Sequence, residues 1–204
     1  MYKLYSRPGT GGFVVEAALR AAGAPFELVD VPKAVPHDPA FLADSPLGQV
    51  PAIVLPDGRA MTESAAICIL LAERYPEARL APAIGSSDRA DFLRWMVFLS
   101  VLYLADLRYF YAHRYTADPS GVEAVKQAAL AEMDRDFAIL DAALAGREGL
   151  AGARSIADVY LLMLAHWHPV AERPRDEWTG IVRVCEALKR EPALAELNER
   201  HRIW

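Results

Sequence analysis

One stretch limits the fold of this chain more than any other: Leu47-Gly48-Gln49-Val50-Pro51-Ala52-Ile53-Val54-Leu55, followed by Glu63-Ser64-Ala65-Ala66-Ile67. Ala52 to Leu55 reads as a buried strand, with Pro51 at its mouth. Proline has no N–H to give a ladder, so it belongs at a strand's first residue or on an edge. A tight turn also admits a cis X–Pro bond, and that is the form expected between Val50 and Pro51. It would turn the Val50 N–H and C=O away from the sheet, free to pair with an extended, peptide-like ligand. Pro56-Asp57-Gly58 then reads as a hairpin turn, and Arg59-Ala60-Met61 as its short return strand. Thr62-Glu63-Ser64 opens a helix whose first N–H groups have no partner, with a hydroxyl and a carboxylate beside them. Such a helix start suits a ligand that carries both a carboxylate and an ammonium group.

The rest of the first half agrees with a small α/β unit. Tyr2 to Tyr5 reads as a strand, Phe13 to Ala22 as a helix stopped by Gly23, and Phe26 to Val31 as a second strand. This βαβ order implies a parallel pair with a right-handed crossover. Residues 32 to 46 carry four prolines and read as loop, with one short helix at Pro39 to Asp44. The strand after Pro51, its hairpin and a helix from Glu63 to Arg74 complete a βαβ–ββα arrangement, the thioredoxin-like layout. Beyond it nothing reads as a strand. Helices are expected over Asp88 to about His113, Val122 to Ala145, from Ser155 onward, near Trp178 to Lys189, and over Pro192 to Arg200. Ser155 and Asp158 form a capping box, because an acid placed before Val159-Tyr160-Leu161-Leu162-Met163-Leu164 is costly to bury unless it satisfies helix-start amides. The expected organisation is a thioredoxin-like α/β domain over 1–75, a linker over 76–87 and an all-α domain over 88–204.

Composition narrows the class. A chain of 204 residues is long enough for real cores, and its net charge of −5, with no block of lysine or arginine, argues against a nucleic-acid surface. The first residues lack the pattern of a signal peptide, and the most apolar run, Trp95 to Ala105, is too short to span a bilayer. Cys68 and Cys185 sit in apolar helical patterns outside any CxxC, as buried free thiols do. His166 and His168 flank Trp167 without acidic or cysteine neighbours, so no metal site is expected. A cytoplasmic protein without membrane or nucleic-acid partners is the expectation.

Three motifs now make a resemblance. Gly48-Gln49-Val50-Pro51 with Glu63-Ser64 resembles the glutathione-binding half of cytosolic glutathione transferases. Lys3-Leu4-Tyr5-Ser6-Arg7-Pro8-Gly9-Thr10-Gly11-Gly12 is similar to the family's first strand and thiol-activating loop, and Ser155-Ile156-Ala157-Asp158 to the capping motif of its core helix. The resemblance implies a bacterial-type, detoxifying transferase that joins glutathione to small hydrophobic electrophiles. It implies no cofactor, glutathione being a co-substrate. It also implies a homodimer, with the Glu63–Arg74 helix and the start of the Asp88 helix at the interface and Ala65, Ile69 and Phe92 as apolar contributors. Gln49 and the Val50 backbone would hold the cysteinyl part, beside Pro51, while Glu63 and Ser64 hold the γ-glutamyl group. His37 or Lys33 would meet the glycine carboxylate. Tyr103, Asp106, Arg108 and Tyr109, near the end of the long helix, fall where the family builds its electrophile pocket.

The chemistry asked of the first loop is modest. A free thiol with a pKa of about 8.5 is only about 3% thiolate at pH 7. One hydrogen bond to the anion, at roughly 1.5–3 kcal/mol, lowers that pKa by about one to two pH units. Thr10 stands where serine-type members carry their activating hydroxyl, Tyr5 where tyrosine-type members carry theirs, and Ser6 follows; the Gly11 and Gly12 amides are a fourth choice. An ungapped match places Gly11 and Gly12 where beta-type members carry a cysteine and a serine. The missing cysteine argues against mixed-disulfide chemistry. Two alternatives stay open: a non-enzymatic member that kept the fold and the ligand site, and a glutathione-dependent peroxidase or reductase.

Overall fold

Alternation along the first strand sets the plan of the α/β half. Strand β1 (Tyr2–Ser6) sends Tyr2, Leu4 and Ser6 to one face and Lys3 and Tyr5 to the other. Tyr2 and Leu4 join the large hydrophobic core, whereas Tyr5 packs with Val31, Phe41 and Ala52 in a smaller one. The computed structural model describes residues 1–170 and 177–204. In it β1 is followed by helix α1 (Gly12–Ala21), and Gly23, at φ 59°, supplies the left-handed turn that ends the helix. Strand β2 (Phe26–Asp30) then pairs parallel to β1, as the βαβ reading requires. Helix α2 (Pro39–Asp44) is capped by Asp38, whose carboxylate accepts from the Ala40 N–H. Strand β3 (Ala52–Val54) runs antiparallel to β1, turns at Gly58, and pairs with β4 (Ala60–Met61) in a sheet ordered β2-β1-β3-β4. Helix α3 (Ser64–Arg74) completes this half.

After a connection rich in proline the chain is helical: α4 (Arg89–Phe110), α5 (Val122–Ala143), α6 (Ile156–Trp167), α7 (Thr179–Lys189) and α8 (Pro192–His201). This is the expected thioredoxin-like fold followed by helices. Helix α4 stops at Phe110, short of the expected His113, because Ala112–Arg114 tightens into a 3-10 turn. Helix α6 is buried along nearly its whole length, which its uninterrupted apolar run allows. Its capping box is formed, with the Asp158 carboxylate accepting from the N–H groups of Ser155 and Leu150 at 2.8 Å each. One continuous core joins α1 and α3 of the first half to α4, α6 and α7 of the second. That continuity corrects one expectation. Phe92 and Ala65 are spent inside the protomer's own core and have no surface to give a second copy.

Candidate functional site

The loop before β3 is held by its own side chains. The Ser45 hydroxyl donates to the Gln49 carbonyl at 2.8 Å and accepts from the Gln49 N–H at 3.3 Å. Gly48 takes φ 64°, and a Cβ there would stand 2.9 Å from the His37 ring, so glycine is needed for both reasons. His37 in turn meets the ring of Phe41 edge-on at 5.5 Å. The structure therefore brings His37 against the loop that carries Gln49 and leaves the Gln49 side chain exposed. Lys33, the other basic candidate, lies 6.0 Å over the ring of Tyr111. The Val50–Pro51 bond is cis, as expected. The ladder begins at Ala52, and no loop hydrogen bond among the described residues engages the Val50 backbone.

The start of α3 is the second part of the site. Glu63 takes φ 67° and ψ 96°, a region that costs a non-glycine residue about 1–3 kcal/mol. Its carbonyl still accepts from the Ile67 N–H at 2.9 Å, while its carboxylate is exposed. The Ser64 hydroxyl is buried and lies 2.7 Å from the hydroxyl of Tyr160, on α6. Burial pushes the Tyr160 phenol up, so it keeps its proton, and either hydroxyl can donate to the other. With Tyr160 as the donor, the Ser64 proton is left for an acceptor at the helix start. Sequence reasoning missed Tyr160, although a phenol within an otherwise apolar helical run has to find a partner.

The first loop differs from its expectation. Tyr5 faces α2, where its hydroxyl donates to the Asp44 carboxylate at 2.9 Å, because strand alternation turns it away from α1. Thr10 donates its one proton to the Arg7 carbonyl at 2.7 Å, a local turn contact that outcompetes anything more distant. Ser6 is fully buried under α1, and a Cβ at Gly12 would stand 1.9 Å from its oxygen, which has no hydrogen-bond partner among the described residues. None of the three offers a proton to the junction of the two halves. Tyr103 does reach it. A Cβ at Gly11 would lie 2.9 Å from the Tyr103 hydroxyl and 3.3 Å from Pro51 Cδ. Glu63 is also close enough for its charge to act on Tyr103. Gly11, Pro51, Glu63 and Tyr103 therefore lie near one another where the two halves meet.

Arg108 is not part of this group. Five residues from Tyr103, it lies on another face of α4 and pairs with Glu132 of α5 at 2.6 Å. Asp106 does not pair with Arg108 either; it is buried, with neither oxygen hydrogen-bonded among the described residues. Tyr109 packs against Phe110 at 5.4 Å. Two surface hollows, one beside Arg79, Asp88 and Arg154 and one beside Asp141, Thr179 and Arg183, share no residue with this group. Among the described residues no group of His, Cys, Asp or Glu has the arrangement to hold a metal, and no helix is long and apolar enough to cross a membrane. Cys68 and Cys185 are buried free thiols, and burial pushes Cys185 up to about 12.

Known proteins share this fold. Residues 12–79 match the family model described as the glutathione S-transferase N-terminal domain. The chain is 29% identical to an uncharacterized GST-like protein, YncG, of Escherichia coli K12, over all of both chains. It is 31% identical to the glutathione S-transferase GST-4.5 of Xanthomonas campestris, over 81% of each. A sphingomonad glutathione S-transferase solved as a complex with glutathione superposes with a TM-score of 0.83 at 30% identity, covering 99% of this chain and 100% of that one. The chain belongs to the glutathione S-transferase family.

Proposed function

We propose that the protein binds glutathione in the cleft between its halves and joins the thiolate to small hydrophobic electrophiles. The observation that carries this reading is the meeting of Gly11, Pro51, Glu63 and Tyr103 around one space, with the unpaired Val50 backbone beside Pro51. The structural relative that holds glutathione supports the choice of ligand. In this reading the Val50 N–H and C=O pair with the cysteinyl residue, next to Gln49. The Ser64 hydroxyl and the first amides of α3 receive the γ-glutamyl carboxylate, and the Glu63 carboxylate meets its ammonium. His37 stands on the side of the glycine carboxylate.

The chemistry then needs little from the protein. The thiol proton leaves to solvent, the sulfur attacks carbon, and a group such as halide departs with the bonding electron pair. Binding supplies proximity, and stabilising the sulfur anion supplies the rest. The protein acts as a homodimer, joined through an exposed apolar row on α4.

Calorimetry tests the site. Glu63→Ala/Ser64→Ala should weaken glutathione binding by at least about 2 kcal/mol, roughly thirtyfold; unchanged affinity rejects the site. Turnover with glutathione and an activated aryl halide separates a transferase from a non-enzymatic ligand-binding member. Turnover confined to peroxides would mark a peroxidase instead.

A further inference from the structure

The start of α1 spends part of its donors on its own loop. The Phe13 N–H goes to the Thr10 carbonyl at 3.0 Å and the Gly12 N–H to Thr10 Oγ1 at 3.3 Å. The hydroxyl protons of Thr10 and Tyr5 go to the Arg7 carbonyl and to Asp44. Ser6 is shut beneath Gly12. One hydroxyl proton remains. The Tyr103 O–H has no acceptor among the described residues, and it stands at the point where Gly11 meets Pro51.

Gly11 shows that this placement is built in. Its backbone is right-handed helical, at φ −56° and ψ −9°, so any L-residue fits there by conformation. What opposes a side chain is space: a Cβ would lie 2.9 Å from the Tyr103 oxygen and 3.1 Å from its Cε1. Position 11 is empty because a phenol from the other half of the molecule fills it. A side chain at 11 and the phenol of Tyr103 exclude one another.

Building on the transferase reading above, we propose that Tyr103 is the catalytic hydroxyl that hydrogen-bonds the glutathione thiolate, supplied by α4 rather than by the first loop. The thiol proton goes to solvent. The phenol keeps its own proton and points it at sulfur, so no bond of the tyrosine breaks. Gly11, just before α1, lies beside the phenol oxygen, so the positive end of the α1 dipole favours that hydroxyl as a donor. Burial pushes the Tyr103 phenol up to about 12, so it remains a donor throughout the range in which a thiolate forms. The groups facing it are Asp106 on its own helix, Tyr111 just beyond, Glu63 from α3, and the rings of Tyr160 and Trp167 from α6. Of these, Glu63 is the exposed carboxylate, and the ligand's ammonium neutralises it in the complex.

Ultraviolet titration of glutathione bound to the full-length protein reads the thiol pKa. In Tyr103→Phe that pKa should rise by about one to two pH units, with glutathione affinity by calorimetry nearly unchanged. Turnover should fall about tenfold or more near neutral pH and recover as pH nears the free thiol's pKa of about 8.5. Gly11→Ala should raise the pKa in the same way, since its methyl displaces the phenol, and Thr10→Ala should leave it in place. A 3-fluorotyrosine at position 103, close in shape and more acidic, should lower the pKa below the wild-type value; it also decides the matter if Tyr103→Phe fails to fold. A thiol pKa unmoved by Tyr103→Phe or by the fluorinated residue overturns the proposal. So does a loss of turnover that is equal at every pH, the mark of a tyrosine that only holds the electrophile. In both cases glutathione binding by the wild type leaves the site itself standing. Wild-type protein that binds no glutathione overturns the transferase reading and this proposal together.

Discussion

Asp106 lies one helical turn beyond Tyr103, buried, with neither carboxyl oxygen hydrogen-bonded among the described residues. An apolar surround penalises the carboxylate far more than the neutral acid, and burial accordingly pushes its pKa well above the ordinary 3.8. Between those two values the folded chain keeps a proton that the unfolded chain has lost. The contribution of this group to stability is therefore full below the unfolded pKa and is lost as pH rises through the folded one. Asp106→Asn cannot ionise and has nearly the same shape. Its urea midpoint should exceed the wild-type value at about pH 8, and the gap should close toward about pH 4; an equal gap at both would show that ionisation is not the cause. The same scale shows what a sequence can and cannot tell of a site. The cis bond at Val50–Pro51 and the helix start at Glu63–Ser64 were legible, because proline and helix-start chemistry act on the backbone where they stand. The direction of a hydroxyl was not. Thr10 is claimed by a carbonyl three residues back and Tyr5 by Asp44, while the atom that fills position 11 belongs to a helix far along the chain.

At the scale of elements, most boundaries follow from punctuation. Gly23 ends α1, Gly58 turns the hairpin, Asp38 caps α2, and the proline at the start of α8 fits the first turn of a helix. Helix α6 carries the strongest local rule. Its Asp158 carboxylate serves two buried amides, those of Ser155 and Leu150, as well as the Ser155 hydroxyl. A Cβ at Gly149 would meet that carboxylate at 2.6 Å, so the loop before α6 is shaped around it. Asp158→Ala leaves both amides without an acceptor and should destabilise the protein by about 3 kcal/mol or more, whereas Ser155→Ala should cost only about 1 kcal/mol. Chemical denaturation reads both, and equal losses would mean that the cap hydroxyl, not the carboxylate, organises the turn. Which face of α4 meets which neighbour was less legible. Apolar residues lie on several sides of that helix, so spacing alone did not separate Tyr103, beside Gly11, from Arg108, paired with α5.

Among the described residues, an apolar row along α4 is left uncovered. Leu93, Val97, Val101 and Leu104 are all exposed, and their spacing of four, four and three residues lines them along one side of α4. The other side of the same helix supplies Phe92, Trp95, Met96, Leu99 and Leu102 to the core, so the exposed row is not left over from a shortage of core positions. In a chain with a net charge of −5, a contiguous apolar row of this kind is the surface on which the proposed dimer would form. A row along one helix can meet its own copy across a two-fold axis, each residue facing its counterpart in the partner. We therefore expect light scattering to give a dimer mass at micromolar concentration. Val97→Asp/Val101→Asp should give monomers, since each buried, unpaired carboxylate costs at least about 1–3 kcal/mol and the dimer would hold four, a loss of about a thousandfold or more in association. Both positions point away from the core, so the monomer should keep the wild-type circular dichroism. It should also still bind glutathione, because Gly11, Pro51, Glu63 and Tyr103 meet within a single chain. A monomeric wild type would show that the row has no partner copy. A monomeric variant that has lost glutathione binding would instead show that the partner completes the cleft.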